Sequence, residues 1–303
     1  DTNAGTYGIP EFGTRFVRQM LDETKPATMD ELVRISGLSH GTDVWSGNAQ
    51  ELIQSGTAEL RQCICTREDI MNYLILSGVD TKTAFDTMES VRKGKGLKPH
   101  MEQAMIKARV PGWIMDSCCK IKYMFPKGHA VAYVTMALRI GWFKVYEPKA
   151  YYCAYFTIRA VGFDASVMLL PEDGLRAHLS KLNERFRELT AKEKDQITML
   201  ELALEMNLRG IRFLPVDLYR SGAGVFRIEA GGIRPPFTAL AGLGLAAAQS
   251  IAAARDERPF LSIEDLRGRV RLSSSVIEML RGQGCLAGLP ETSQMNLFDA
   301  LLA

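Results

Sequence analysis

The feature that most constrains this chain is a repeated unit: a capping residue, apolar residues three and four apart, then a glycine. Thr66 precedes Ile70, Leu74 and Ile75, and Gly78 stops the run. Thr81 precedes a stretch towards Lys93 that ends in Gly94-Lys95-Gly96, and Pro99 opens another through Met101 and Met105 to Ala108. Residues 12–21 place Phe12, Phe16, Val17, Met20 and Leu21 on one predicted buried face. Asp30 is the predicted cap of a helix over 31–37 ending at Gly37. A long helix is predicted after Pro126, through Val131, Val134, Leu138, Phe143 and Val145, before Pro148. These spacings follow a period of about 3.6, not 2, so the fold class is mainly α.

The second half keeps that grammar with one interruption. Leu175, Leu179, Leu182, Phe186 and Leu189 form a heptad-like seam, expected to pack within the fold. Ile197, Leu200, Leu204 and Leu208 line a further helix ending at Gly210. Residues 211–218 and 225–228 flank Ser221-Gly222-Ala223-Gly224 and read as two short strands around a turn, a small β-hairpin. Beyond it come an alanine-rich helix ending near Arg255 and a helix pair over 263–266 and 276–280.

A length of 303 residues suggests about two domains. No apolar run approaches the ~18 residues that cross a membrane, and the N-terminus has neither the basic region nor the apolar core of a signal peptide. A cytoplasmic chain without a membrane partner is therefore expected. It lacks an initiator Met, so it reads as a fragment or processed piece. Cys63, Cys65, Cys118, Cys119, Cys153 and Cys285 include no C-x-x-C pair and no histidine at zinc-finger spacing. They are expected to be reduced, mostly core thiols, with no metal.

Charge is unevenly placed. Residues 91–149 hold 12 Lys and Arg against 3 Asp and Glu, whereas the whole chain is only +2. Trp113, Tyr123, Phe125, Tyr133, Trp142 and Phe143 run through this stretch, the footprint of a surface that meets phosphates and bases. Within it, Arg92-Lys93-Gly94-Lys95-Gly96 combines three cations with glycines that let a phosphate chain approach. The plain alternative is a solvated helix C-terminus, where cations suit the helix dipole. Lys127 and His129, just past Pro126, are candidates for the same cluster. Arg15 and Arg18, about one turn apart, would clamp a phosphate or simply face solvent. The loop over 39–45, with His40, Thr42, Asp43 and Trp45, is rich in hydrogen-bonding groups.

Two further patterns lie near the C-terminus. Leu240, Gly242, Leu243, Gly244 and Ala248 fit a turn that presents free N–H groups at a helix start, a natural phosphate site. Residues 271–286 read as a second, degenerate copy. Arg255, Arg258, Arg267, Arg269 and Arg271 favour binding, but 231–303 balances 7 basic against 7 acidic residues, so the grip is expected to be modest. Finally, Gln294-Met295-Asn296-Leu297-Phe298 sets apolar anchors in a polar terminus, as a groove-docking peptide does.

Several segments together resemble one family: Gly5-Thr6-Tyr7-Gly8-Ile9-Pro10-Glu11-Phe12-Gly13-Thr14-Arg15, Ser36-Gly37-Leu38-Ser39-His40-Gly41-Thr42-Asp43-Val44-Trp45, Met88-Glu89-Ser90-Val91-Arg92-Lys93-Gly94-Lys95-Gly96-Leu97 and Lys122-Tyr123-Met124-Phe125-Pro126-Lys127-Gly128-His129-Ala130. They are similar to the C-terminal part of PolC-type replicative DNA polymerase III α subunits of low-GC Gram-positive bacteria. The similarity runs from Gly5 to Phe298. It implies helical fingers over 1–165, a duplex-binding helix-hairpin-helix region over 166–289, and a sliding-clamp-binding tail over 290–303. It further implies that Arg92, Lys93 and Lys95 meet the dNTP triphosphate, with Arg15, Arg18, His40, Lys127 and His129 around the same pocket. Thr42, Asp43 and Trp45 would lie near the nascent base pair. Gly242, Gly244, Arg255 and Arg271 would hold primer-template duplex DNA, and Gln294, Met295, Asn296, Leu297 and Phe298 the sliding clamp.

Departures from the family pattern shape the functional expectation. No Asp-x-Asp occurs in the chain, and two-metal nucleotidyl transfer needs carboxylates on its ions. The Mg²⁺ of the intact enzyme is thus expected on a palm outside these residues, leaving a chain that binds nucleotide and duplex but is inactive alone. Met295 and Asn296 stand where the usual clamp peptide has Leu and Ser or Asp; Met is a fair substitute for Leu. The alternative is a non-catalytic DNA-binding adaptor recruited to the clamp.

Overall fold

The computed structural model describes residues 3–159 and 163–293. The chain divides into two compact units, Asp1–Trp142 and Phe143–Ala303.

The first unit is helical. It contains α1 (Arg15–Thr24), α2 (Met29–His40), α3 (Gln50–Gln54), α4 (Arg67–Leu76), α5 (Thr81–Arg92), α6 (Pro99–Lys107), α7 (Gly112–Lys120) and most of α8 (Lys127–Tyr146). Helix starts follow local chemistry. The Thr14 hydroxyl accepts from the Val17 N–H, Asp80 from Thr83, and Pro99 opens α6, where a missing N–H costs nothing. Helices α4 and α5 pack against each other, and they bury Ile70, Leu74, Ala84, Met88 and Val91.

Three sequence expectations need correction here, the first being the cap of α5, which is Asp80, with the expected Thr81 as the first residue of the helix. Phe16 is exposed, and the buried face of α1 is Val17, Arg18, Met20 and Leu21. The helix begins only at Arg15, so Phe12 packs from the preceding turn and does not set the phase. Helix α2 is capped by Thr28 with Glu31 in a reciprocal box, and it runs through Gly37 to His40. Gly37 is no stop signal: a Cβ there would stand 2.6 Å from the Cys65 carbonyl oxygen, so the glycine permits close packing.

The second unit holds the last turn of α8, then α9 (Pro148–Arg159), α10 (Ala165–Met168), α11 (Glu172–Glu184), α12 (Ala191–Leu208), α13 (Leu245–Glu257), α14 (Ile263–Val270) and α15 (Ser274–Gly282). Helices α11 and α12 pack together; of the predicted seam Leu175, Leu182 and Leu189 are buried and Phe186 is exposed, and of the helix predicted after it Ile197 and Leu200 are buried and Leu208 is exposed. The β-hairpin exists, displaced from its predicted place. It pairs β1 (Arg227–Glu229) with β2 (Gly232–Arg234), antiparallel, with Ile228 opposite Ile233. Residues 211–218 contribute only a bridge from Phe213 to Ile233. The turn is at Ala230-Gly231, between the paired Glu229 and Gly232, and Gly232 passes so close to the Arg212 carbonyl that no Cβ fits. Helix α9 packs on this hairpin, within the second unit. A separate apolar core under α13, α14 and α15 includes Phe237, Leu243, Ile251, Leu266, Ile277 and Leu280.

All six cysteines are free thiols. Burial pushes Cys63 up to about 11 and Cys118 up to about 12, so these behave as small apolar side chains. No helix among the described residues is long and apolar enough to cross a membrane.

Candidate nucleic-acid interface

Three segments far apart in sequence meet in the first unit. The Thr42 N–H donates to the Tyr123 carbonyl at 2.9 Å, and the Lys122 N–H donates back to Thr42 at 3.1 Å. This bridge fixes the loop after α2 against the strand-like segment before α8. The loop after α5 joins them: Gly94 has φ +70, and a Cβ there would lie 2.6 Å from the Lys122 carbonyl oxygen. Only glycine serves at Gly94, because the left-handed backbone and the close approach both exclude a side chain. His40, Thr42, Asp43, Arg92, Lys93, Lys95, Lys122, Tyr123, Lys127 and His129 therefore sit on converging backbone. Asp43 itself has φ +57, a conformation Asp tolerates better than most residues.

An aromatic ladder backs the junction. His40 stacks on Phe125 at 4.7 Å, Phe125 meets His129 edge-on at 5.1 Å, and His129 meets Tyr133 at 4.9 Å. His40 Nε2 lies 2.7 Å from Glu11 Oε2, which also accepts from the Ser36 hydroxyl. Glu11 has φ +69, a strained conformation for a non-glycine residue, and so is held there by its surroundings.

The cations are not idle. Arg92 is gripped through Nε and Nη2 by both oxygens of Glu89, and Lys93 Nζ stands 2.9 Å from the same carboxylate. Lys127 Nζ is 3.4 Å from Asp69 and 3.7 Å from Asp30, while its N–H donates to Glu68 at 2.8 Å. Hydrogen bonding from Arg34, then the charge of Lys127, hold the Asp30 carboxyl below its ordinary value. Lys95 is exposed, and its side chain forms no ion pair among the described residues. Sequence reasoning missed these carboxylates, although Glu89 lies three and four residues before Arg92 and Lys93, the spacing that pairs charges on a helix.

Other expected site residues are placed differently. Arg18 is 7 % exposed, donates to the Gly13 carbonyl at 2.6 Å and lies 4.0 Å from the Tyr7 ring centre. It faces inward while Arg15 is exposed, so the two do not form the expected clamp. Trp45 is 4 % exposed and anchors its loop from inside, whereas Thr42 and Asp43 are exposed.

In the second unit, Gly242 has φ +91, Leu243 is buried, and Gly244 begins α13 with no side-chain cap. The first N–H groups of α13 thus sit at an exposed, glycine-lined surface. The turn between α14 and α15 repeats this form. Arg271 takes the left-handed conformation at φ +53, Leu272 is buried, and Ser273 caps α15. Arg271 itself is exposed. Arg255 is not: its guanidinium donates to the Leu218 and Ser221 carbonyls at 3.0 and 2.7 Å, so it serves the core. Arg258 pairs with Asp265, and Arg269 with Asp265 and Glu257. The residues Gln294, Met295, Asn296, Leu297 and Phe298 lie outside the described residues.

Convergent basic loops in one helical unit and repeated helical hairpins in the other define the fingers and helix-hairpin-helix class. Models of two families match accordingly: the bacterial DNA polymerase III alpha subunit finger domain over residues 2–110 and the helix-hairpin-helix motif over residues 210–295. The chain is 54% identical over 297 residues to the PolC-type DNA polymerase III of Caldanaerobacter subterraneus subsp. tengcongensis, covering 98% of this chain and 21% of the relative. It is 56% identical over 294 residues to that of Halalkalibacterium halodurans and 54% over 294 residues to that of Bacillus subtilis. Each of these two alignments covers 97% of this chain and 20% of the relative. The chain belongs to the PolC-type DNA polymerase III family, and it spans about a fifth of the length of the curated relatives it matches.

Proposed function

We propose that this chain forms the fingers and duplex-binding part of a replicative DNA polymerase. In this reading the loop over 92–96, with Lys127, His129 and His40 beside it, takes the triphosphate of the incoming dNTP. Thr42 and Asp43 lie towards the nascent base pair. The hairpins at Gly242-Leu243-Gly244 and Arg271-Leu272-Ser273 hold primer-template duplex by its phosphates, and the tail docks on the sliding clamp. The observation that carries the reading is the convergence of the loops over 41–43 and 92–96 with the segment over 121–127. Three stretches of backbone are joined so closely that Gly94 tolerates no side chain, and a nucleotide-sized anion meets cations from two of them at once.

Mg²⁺ accompanies polymerase chemistry by activating the primer hydroxyl and steadying the leaving pyrophosphate. Among the described residues no group of three or more His, Cys, Asp or Glu is arranged to hold a metal. Glu89 and Asp69, beside the loops, are engaged by Arg92, Lys93 and Lys127. The expected result is that the chain alone gives no primer extension with Mg²⁺ and all four dNTPs. Template-dependent extension by a clean preparation would overturn the division of labour proposed.

Duplex binding is tested at Gly244. Its backbone is ordinary extended geometry, and a Cβ there meets nothing within 4 Å. Gly244→Val therefore preserves the fold and only obstructs a phosphate approaching the start of α13. The variant is expected to bind duplex several-fold more weakly whatever the DNA sequence, with affinity falling as salt rises. Unchanged affinity would make the hairpin a packing turn.

A further inference from the structure

Glu89 has no part in the function proposed above, yet it holds two of that function's three loop cations. It lies in the last turn of α5, and its two oxygens take Arg92 and Lys93 together, leaving Lys95 outside the pairing. Hydrogen bonds from Arg92, then from Lys93, hold the Glu89 carboxyl down at about 2. It is therefore ionised, and the pairing present, at any neutral pH.

We propose that Glu89 is a built-in competitor for the anion that this loop binds: in the free protein it occupies Arg92 and Lys93, and an arriving polyphosphate lands on Lys95 and then displaces it. This rests on reading the loop over 92–96 as a polyphosphate site. The pairs are part-exposed, with side chains 23–48% accessible, and such pairs are individually weak. A ligand carrying several phosphates outbids one carboxylate by presenting more charge to the same cations. The displacement still subtracts from affinity, so the competitor keeps the site weak enough to let a pyrophosphate product leave.

The test is calorimetric titration of this chain with inorganic tripolyphosphate at fixed low salt. Glu89→Gln removes the charge and keeps an acceptor oxygen; it is expected to tighten binding about fivefold, the scale of a part-exposed ion pair. Glu89→Ala, which suits a helix well, is expected to do the same and guards against a folding defect. Asp86→Asn is the charge control. Asp86 is exposed on the same helix and forms no ion pair among the described residues, so the same loss of charge there should change affinity by less than about twofold. Glu89 variants that bind like the wild type, or an Asp86→Asn variant that tightens equally, would overturn the proposal. The double variant R92E/K93E separates the two readings. Lost binding there, with Glu89 variants unchanged, removes the competitor alone; binding that survives the double reversal removes the polyphosphate site and the competitor with it.

Discussion

In the full-length polymerase, the double variant Arg92→Glu/Lys93→Glu should use dNTPs with kcat/KM lowered by at least about tenfold. Charge-assisted contacts to phosphate are among the stronger hydrogen bonds, and reversal replaces two attractions with two repulsions. Both residues lie at the end of α5 beside Gly94, whose backbone is tied to the segment leading into α8. The measurement is steady-state incorporation of a single nucleotide on a fixed primer-template. An effect mainly on KM would place the contacts in the ground state, and an effect on kcat would place them in the transition state. Unchanged kinetics would leave the loop as a solvated helix end, where its cations serve only the helix dipole.

Replacing Leu297 and Phe298 with Ala should remove roughly 2–4 kcal/mol from binding of the tail to the sliding clamp. In this account Gln294 sets register by hydrogen bonding, and Met295, Leu297 and Phe298 fill apolar pockets on the partner. Apolar anchors dominate the affinity of such short peptides, because the polar remainder exchanges water for protein at little net gain. In this account a weak peptide is adequate, since both partners would ride the same DNA and the effective concentration would be high. The check is a titration of purified clamp with a peptide spanning residues 290–303, wild type beside the double alanine variant. Equal binding by both, or none by either, would sink the clamp assignment.

Local sequence alone determined the helical class. Pro99 and Pro126 mark helix starts because a ring with no N–H acts locally and needs no tertiary partner, and Thr66 marks another, although there the Thr66 hydroxyl stays unbonded and Asp69 accepts from the Thr66 N–H instead. The fingers and hairpin motifs were likewise legible, since Gly94 and Gly242 sit in left-handed turns that a nearby glycine signals. Tertiary structure decided what those signals could not reach. Gly37 looks like a stop but is a close-packing residue inside α2, because the Cys65 backbone crosses there. The strand turn lies at Ala230-Gly231, where the second strand passes against the Arg212 carbonyl and only a glycine fits at Gly232. Arg18 and Arg255 read as surface cations, but each found backbone carbonyls to satisfy its guanidinium inside the fold. The meeting of His40, Thr42, Arg92, Lys93 and Lys127 also lay beyond local reading. Caps and periods fix each segment's own conformation, whereas which segments meet depends on packing between residues tens of positions apart.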